Sequence, residues 1–221
     1  MSKPFAWSYS ALSAFETCPH QFAQVRIHKT VAEQQNEQML YGNRFHKALE
    51  LHVANGDPLP EHMVAQCEPI MEKLKTVGGV MVPERKIALT ENLTPTQYFA
   101  KDVWLRVVID LQIDKGPKSL VLDYKTGKRK VDGDQLRLTA ATKFAIDPGL
   151  EEVRVGYIWF QEDKIDSTTY TPDDVPGIWQ DFAPRVHRMK SAIEADKFQK
   201  IPSGLCRKHC PVKSCEFNGG E

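Results

Sequence analysis

The sequence has no apolar run near the roughly 20 residues that a membrane-crossing helix needs, and its first residues lack the charged-then-apolar order of a secretory signal. The expectation is a cytoplasmic protein of a bacterium or a phage-infected host cell, with no membrane partner. There is no charge excess either: Lys+Arg and Asp+Glu both number 29 among 221 residues. That excludes a protein that coats nucleic acid through net charge alone. No phosphate-binding glycine loop ending in Lys-Ser/Thr is present, which excludes a nucleotide-driven motor. Internal repeats and low-complexity linkers are missing as well. The expectation is one domain over 1–221, with an N-terminal helical region over 1–79 and an α/β core over 80–171. A C-terminal helix over 172–199 and a cysteine-rich tail over 200–221 complete it. Five cysteines in a reducing compartment point to metal ligands or buried thiols rather than disulfides.

Hydrophobic periodicity supplies the elements. A helix from Ser10 carries Leu12, Phe15, Phe22 and Val25 on one side, and Pro19 predicts a break near Cys18. Helices follow over Met39–Asn55, stopped by Asn55-Gly56-Asp57-Pro58, and Pro60–Thr76, stopped by Gly78-Gly79. Strands are expected over Val80–Leu89, Gln97–Ile113 and Ser119–Tyr124, then a helix over Asp132–Ile146. A strand pair, Val153–Gln161 and Lys164–Tyr170, and a long helix over Pro172–Lys197 complete the order. This is an α/β pattern with a mixed sheet and helices on both faces.

The chemistry gathers on a hairpin. Val107-Val108-Ile109-Asp110 and Leu120-Val121-Leu122-Asp123-Tyr124-Lys125 flank the turn signal Asp114-Lys115-Gly116-Pro117. A turn centred between Lys115 and Gly116 sets Asp110 opposite Val121, so Asp110, Asp123 and Lys125 share a face. The two carboxylates then become diagonal neighbours roughly 7–8 Å apart at the backbone. Two acids at that reach can converge on a divalent cation with a lysine beside them, the make-up of a metal-dependent hydrolytic site. Lys125, Lys128, Arg129, Lys130, Arg137 and Lys143 bunch beside it, where a phosphate backbone would be steered. His46 and Glu50, four apart, lie on one helix face and make His46 a candidate ligand. His20, His28, His52, His62 and His187 read as ordinary surface or satisfied histidines.

The cysteines form the third feature. Cys206, Cys210 and Cys215 crowd the tail and Cys18 lies near the start, four thiolates that suit a tetrahedral zinc or a four-iron cluster. Cys67, on the apolar side of a helix, reads as a core thiol.

Taken together, these residues resemble the RecB-type nucleases of the PD-(D/E)XK superfamily. Ser8-Tyr9-Ser10-Ala11-Leu12-Ser13-Ala14-Phe15-Glu16-Thr17-Cys18-Pro19 resembles their opening motif, and Gly42 to Glu50 their histidine-bearing helix. Ile109-Asp110 and Asp123-Tyr124-Lys125-Thr126-Gly127 resemble their paired acidic motifs, and Gln135-Leu136 the start of their glutamine motif. The cysteine arrangement is similar to the branch that includes the AddB nuclease domain and the CRISPR-adaptation nucleases.

The resemblance implies a restriction-endonuclease-like core with an N-terminal helical cap and a C-terminal cysteine-rich tail. It implies that His46, Asp110, Asp123 and the Tyr124 carbonyl ligate Mg²⁺ or Mn²⁺, that Lys125 acts on the attacking water, and that Glu84 supports the site. Gln135, Lys128, Arg129, Lys130 and Arg137 would contact DNA. Cys18, Cys206, Cys210 and Cys215 would hold a [4Fe-4S] cluster, with Zn²⁺ as the alternative. The implied activity is a DNA exonuclease that processes ends or single strands for recombination or repair, as in phages and mobile elements, with a single-strand annealing protein as partner. A nicking or structure-specific endonuclease and a non-catalytic DNA-binding module are the alternatives. Three departures stand out: no proline precedes Asp110, Thr139 replaces a tyrosine of the glutamine motif, and the tail reads Cys-x3-Cys-x4-Cys, with His209 at the usual middle position.

Overall fold

The computed structural model describes residues 5–33, 36–129 and 133–219. The chain divides into two compact units, one holding Asn36–Trp179 and the other joining Trp7–Gln35 to Gln180–Glu221.

The first unit is built on a mixed six-stranded sheet in the order β2-β1-β3-β4-β5-β6. Its strands are β1 (Val80–Leu89), β2 (Pro95–Thr96), β3 (Leu105–Lys115), β4 (Lys118–Lys125), β5 (Glu152–Trp159) and β6 (Lys164–Tyr170). All neighbours run antiparallel except β4 and β5, which are parallel and joined through helix α5 (Gly133–Ile146). Helices α3 (Glu37–Asn55) and α4 (Glu61–Val77) bury Phe45, Leu49, Met63 and Ile70 against Leu111, Ile113, Leu122 and Ile158 of one sheet face. Full burial of such side chains stabilises by about 1.5–3 kcal/mol each. Cys67 lies inside this layer with no exposed surface, and burial pushes its thiol up to about 12. Local chemistry sets the ends of α3. Asn36 accepts the Met39 N–H at 2.8 Å, and Gly56 stops the helix in the left-handed region at φ 76°. Pro83 lies where β1 is an edge of the sheet, because β2 pairs only with Ala88 and Leu89.

Two expectations change. The hairpin turns on Gly116-Pro117, with Lys115 paired to Lys118 and Gln112 to Val121. Gly116 supplies φ 58° at the first loop position, and Pro117 can only take negative φ at the second, the demand of a type II′ turn. The register therefore moves by two residues, which brings Asp110 level with Asp123. An even shift preserves the parity on which Asp110 and Asp123 are placed together. The strand expected over Gln97–Ile113 begins only at Leu105. Residues 97–102 close on themselves instead: Ala100 N–H donates to the Gln97 carbonyl at 2.9 Å, and Thr96 Oγ1 donates to Asp102 at 2.9 Å.

The second unit contains α1 (Tyr9–Thr17), the single turn α2 (Pro19–Phe22) and most of α6 (Val175–Glu194). The break predicted by Pro19 falls on Cys18, which is extended at φ −161°. Trp7 stacks on Phe182 with centroids 6.3 Å apart, and Arg185 grips Glu16 with two bonds of 2.7 Å. The helix expected from Pro172 opens as a 3₁₀ turn, Pro172–Asp174, in which Thr171 and Asp174 form a capping box. Among the described residues no helix is long and apolar enough to cross a membrane.

Candidate metal centre

The β3–β4 ladder stops at Leu111–Leu122, one pair short of Asp110 and Asp123. There the Asp110 carboxylate takes the place of a ladder bond and accepts the Tyr124 N–H at 2.7 Å through Oδ2. The same oxygen lies 3.3 Å from Nδ1 of His46, whose Nε2 donates to the Tyr124 carbonyl at 3.0 Å. His46 thus reaches both members of the opened strand pair from helix α3.

Glu84 completes the group. Ligand atoms of His46, Glu84 and Asp110 all lie within 4.8 Å of one another. Glu84 is on β1 in the left-handed region at φ 47°, and the β1–β3 ladder skips it and Asp110. A glutamate held there costs of order 1–3 kcal/mol and persists only where its surroundings hold it.

Asp123 faces a second set of partners. Its Oδ1 accepts from Gln135 Nε2 at 2.5 Å, and Lys125 Nζ sits 2.7 Å from Oδ2 while donating to Gln135 Oε1 at 3.3 Å. The Lys125 ammonium is thus the closest partner of the buried Oδ2 and pulls the Asp123 carboxyl down by its charge and by a hydrogen bond. The Lys125 ammonium also lies 4.8 Å above the Tyr157 ring. Tyr157 stands in this position because β5 runs parallel to β4 with Tyr157 level with Asp123.

The electrostatics of the group share one sign. Burial and the Asp110 carboxylate push Asp123 up to about 6, against the pull of Lys125 and His46. Burial, then Asp110 and Glu50, raise Glu84. Burial lowers the His46 imidazole, but the bond and charge of Asp110, together with the Asp123 charge and the bond to the Tyr124 carbonyl, outweigh it, and the net shift is upward. Each of the three favours its protonated form: burial leads for Asp123 and Glu84, and the Asp110 carboxylate raises all three. Clustered carboxylate oxygens and one imidazole, with ligand atoms of His46, Glu84 and Asp110 within 4.8 Å of one another, fit a hard divalent cation.

The other anticipated residues are placed as follows. Lys128 is exposed and lines a groove of about 590 Å³ with Tyr41, Thr126 and Gln161. Arg129 is gripped by Asp166 through two bonds of 2.7 Å, and Arg137 pairs with Asp134 at 2.9 Å. Lys130 lies outside the described residues. Cys18, Cys206 and Cys210 line one cavity of about 70 Å³ with His209, and Cys215 is half-buried nearby in sequence. The Ser203 N–H donates to Cys206 Sγ at 3.2 Å. Tyr157, Tyr41 and Gln161 escape a reading of the sequence. Their places depend on strand order and on the start of α3, which no local pattern reveals.

The family model of the PD-(D/E)XK nuclease superfamily matches residues 6–215. Among solved structures, a candidate exonuclease from Eubacterium rectale is similar at 11% identity and a TM-score of 0.54, over 92% of this chain and 88% of that one. The crystal structure of SSO0001 is similar at 15% identity and a TM-score of 0.47, over 99% and 89%. Likeness at such identities concerns the fold. No curated protein matches the sequence.

Proposed function

The chain belongs to the PD-(D/E)XK nuclease superfamily, and from that premise we propose a Mg²⁺- or Mn²⁺-dependent deoxyribonuclease that hydrolyses phosphodiester bonds at DNA ends. The observation that carries the reading is the convergence of His46, Glu84 and Asp110 within 4.8 Å, beside Asp123 and Lys125. His46, Asp110, Asp123 and the Tyr124 carbonyl would hold the ion, with Glu84 at their side. A divalent ion there supplies Lewis acidity for water and for the phosphoryl oxygens. Lys125, fixed by Asp123, Gln135 and Tyr157, orients the attacking water and offsets charge that builds on the phosphate. Gln135 holds Asp123 and Lys125 in one geometry. Lys128, Arg129, Lys130 and Arg137 draw the backbone in by charge. The biological setting of this reading is recombination or repair, with single strands handed to an annealing protein.

Degradation of end-labelled linear DNA and of covalently closed circles, with Mg²⁺, Mn²⁺ or chelator, tests it. Linear DNA degraded from its ends while circles survive is the expected result. Nicked circles would turn the reading to an endonuclease, and no cleavage of any DNA by folded, metal-loaded protein would end it.

The cysteines of the second unit extend the proposal to a [4Fe-4S] cluster on Cys18, Cys206, Cys210 and Cys215. Three of them line one cavity, and the Ser203 N–H bond to Cys206 sulfur suits a thiolate. Anaerobically purified protein is expected to contain iron and sulfide. Stoichiometric zinc without iron would replace the cluster by a zinc site.

A further inference from the structure

Behind the proposed centre lies a second charged group that the nuclease chemistry does not use. Lys143 of α5 has no exposed surface. Its ammonium contacts Asp147 and lies 3.3 Å from Asp114. Arg85 of β1 reaches the same carboxylates, 3.4 Å from Asp147 and 3.7 Å from Asp114. Ser119 Oγ donates to Asp114 at 2.6 Å, and Gln112 donates to its other oxygen. Two cations and two anions balance on the face of the sheet that α5 covers.

The position of Arg85 in this group contradicts strand alternation. Met81 packs against the apolar α3–α4 layer. Period two would send Pro83 and Arg85 to that same layer, and Val82 and Glu84 to the α5 face. From Glu84 onward the opposite holds: Glu84 reaches His46 of α3, and Arg85 reaches Asp114 and Asp147. The left-handed backbone at Glu84, φ 47°, is where the alternation inverts. One residue in that conformation delivers a carboxylate to the candidate metal centre and a guanidinium to the α5 face.

We propose that Arg85 is a positioning residue for the metal centre: its ion pairs with Asp114 and Asp147, anchored by Lys143, latch the inverted backbone that holds Glu84 beside His46 and Asp110. Relaxation of Glu84 to ordinary extended geometry would restore alternation and turn the guanidinium toward the apolar layer, where a charge without partners is strongly disfavoured. The charge at position 85 therefore keeps the Glu84 carboxylate in place without touching it. An apolar residue at 85 removes both restraints, because it leaves the carboxylates and can enter the α3–α4 layer.

The inference rests on the divalent-ion reading of the site, and Mn²⁺ binding to the full chain, followed by calorimetry, separates the two. Arg85→Leu is expected to weaken Mn²⁺ binding by about 10–100-fold, as losses behind a ligand set do, and Arg85→Lys to retain most of it. Glu84→Gln should weaken binding too, and adding Arg85→Leu to it should cost little more, because the two act through one carboxylate. Asp147→Asn, at a half-exposed position, gives the same direction at smaller size if the leucine variant does not fold. Wild-type affinity in Arg85→Leu, or an equal further loss in the Glu84→Gln background, overturns the latch. Wild-type protein that binds no Mn²⁺ overturns the metal centre itself, and the latch with it.

Discussion

On the proposed deoxyribonuclease reading, Lys125→Ala is expected to lower turnover on DNA by about 10²–10⁴-fold, the range for a positioned proton-transfer or charge-stabilising group. The lysine is held by an ion pair of 2.7 Å to Asp123, a bond of 3.3 Å to Gln135 and the face of Tyr157. A group fixed from three sides loses little entropy when substrate arrives, which is why its removal acts on turnover more than on affinity. The substitution has a second signature. Lys125 is one of the groups that pull the Asp123 carboxyl down. Without it the carboxyl of the metal-free protein titrates at higher pH, so protons compete with the ion for Asp123 at higher pH. Turnover of a labelled oligonucleotide with Mn²⁺ saturating measures the first, and Mn²⁺ affinity against pH the second. A variant with wild-type turnover would strip Lys125 of its role.

The contribution of Asp123 to the stability of the metal-free protein falls as pH rises from about 4 to about 6, the reverse of the usual behaviour of paired carboxylates. Asp123 moves from an ordinary 3.8 to about 6 on folding, so between those values the folded chain binds more protons than the unfolded one. Stability falls with pH wherever that is so. Glu84 and His46 are raised as well, and both push in the same direction. Asp123 alone accounts for roughly 3 kcal/mol, at about 1.4 kcal/mol per pH unit. For a chain of this length that corresponds to about 6–12 °C in melting temperature. Other carboxylates titrate over the same range, so the informative quantity is wild type minus Asp123→Asn, melted at pH 4 and pH 7 to span the window. Mg²⁺ or Mn²⁺ should cancel the loss at pH 7, since the ion takes over from the protons. A wild-type protein that gains stability over Asp123→Asn as pH rises would show that the carboxyl is not held up by burial.

The elements are legible where burial follows a period. Val80–Leu89 and Lys164–Tyr170 have the bounds that the pattern predicts, α3, α4 and α5 differ by a residue or two, and α6 begins three residues later and ends three earlier than expected. The site survives a two-residue shift in the hairpin register, because strand parity and not pairing decides which side chains share a face. Residues 97–104 mislead because aromatic and β-branched content suits a strand, while Thr96 and Asp102 close the segment by a side-chain bond. Glu84 shows where sequence reasoning ends. Its identity and position are visible, but a positive φ on a non-glycine residue is imposed by the folded surroundings and leaves no local trace. Tyr157 needs the parallel pairing of β4 with β5, a long-range fact.

The division of the chain also has a consequence for synthesis. The second unit is assembled from Trp7–Gln35 and Gln180–Glu221, with the whole first unit emerging between them. Trp7 is made long before Phe182, its stacking partner, and Glu16 long before Arg185. At about 5–20 residues per second, the ribosome takes on the order of 10–30 s to cover the interval. For that time Trp7 and Glu16 travel without the partners they hold in the folded unit, and the strands of the first unit are all made before those partners arrive.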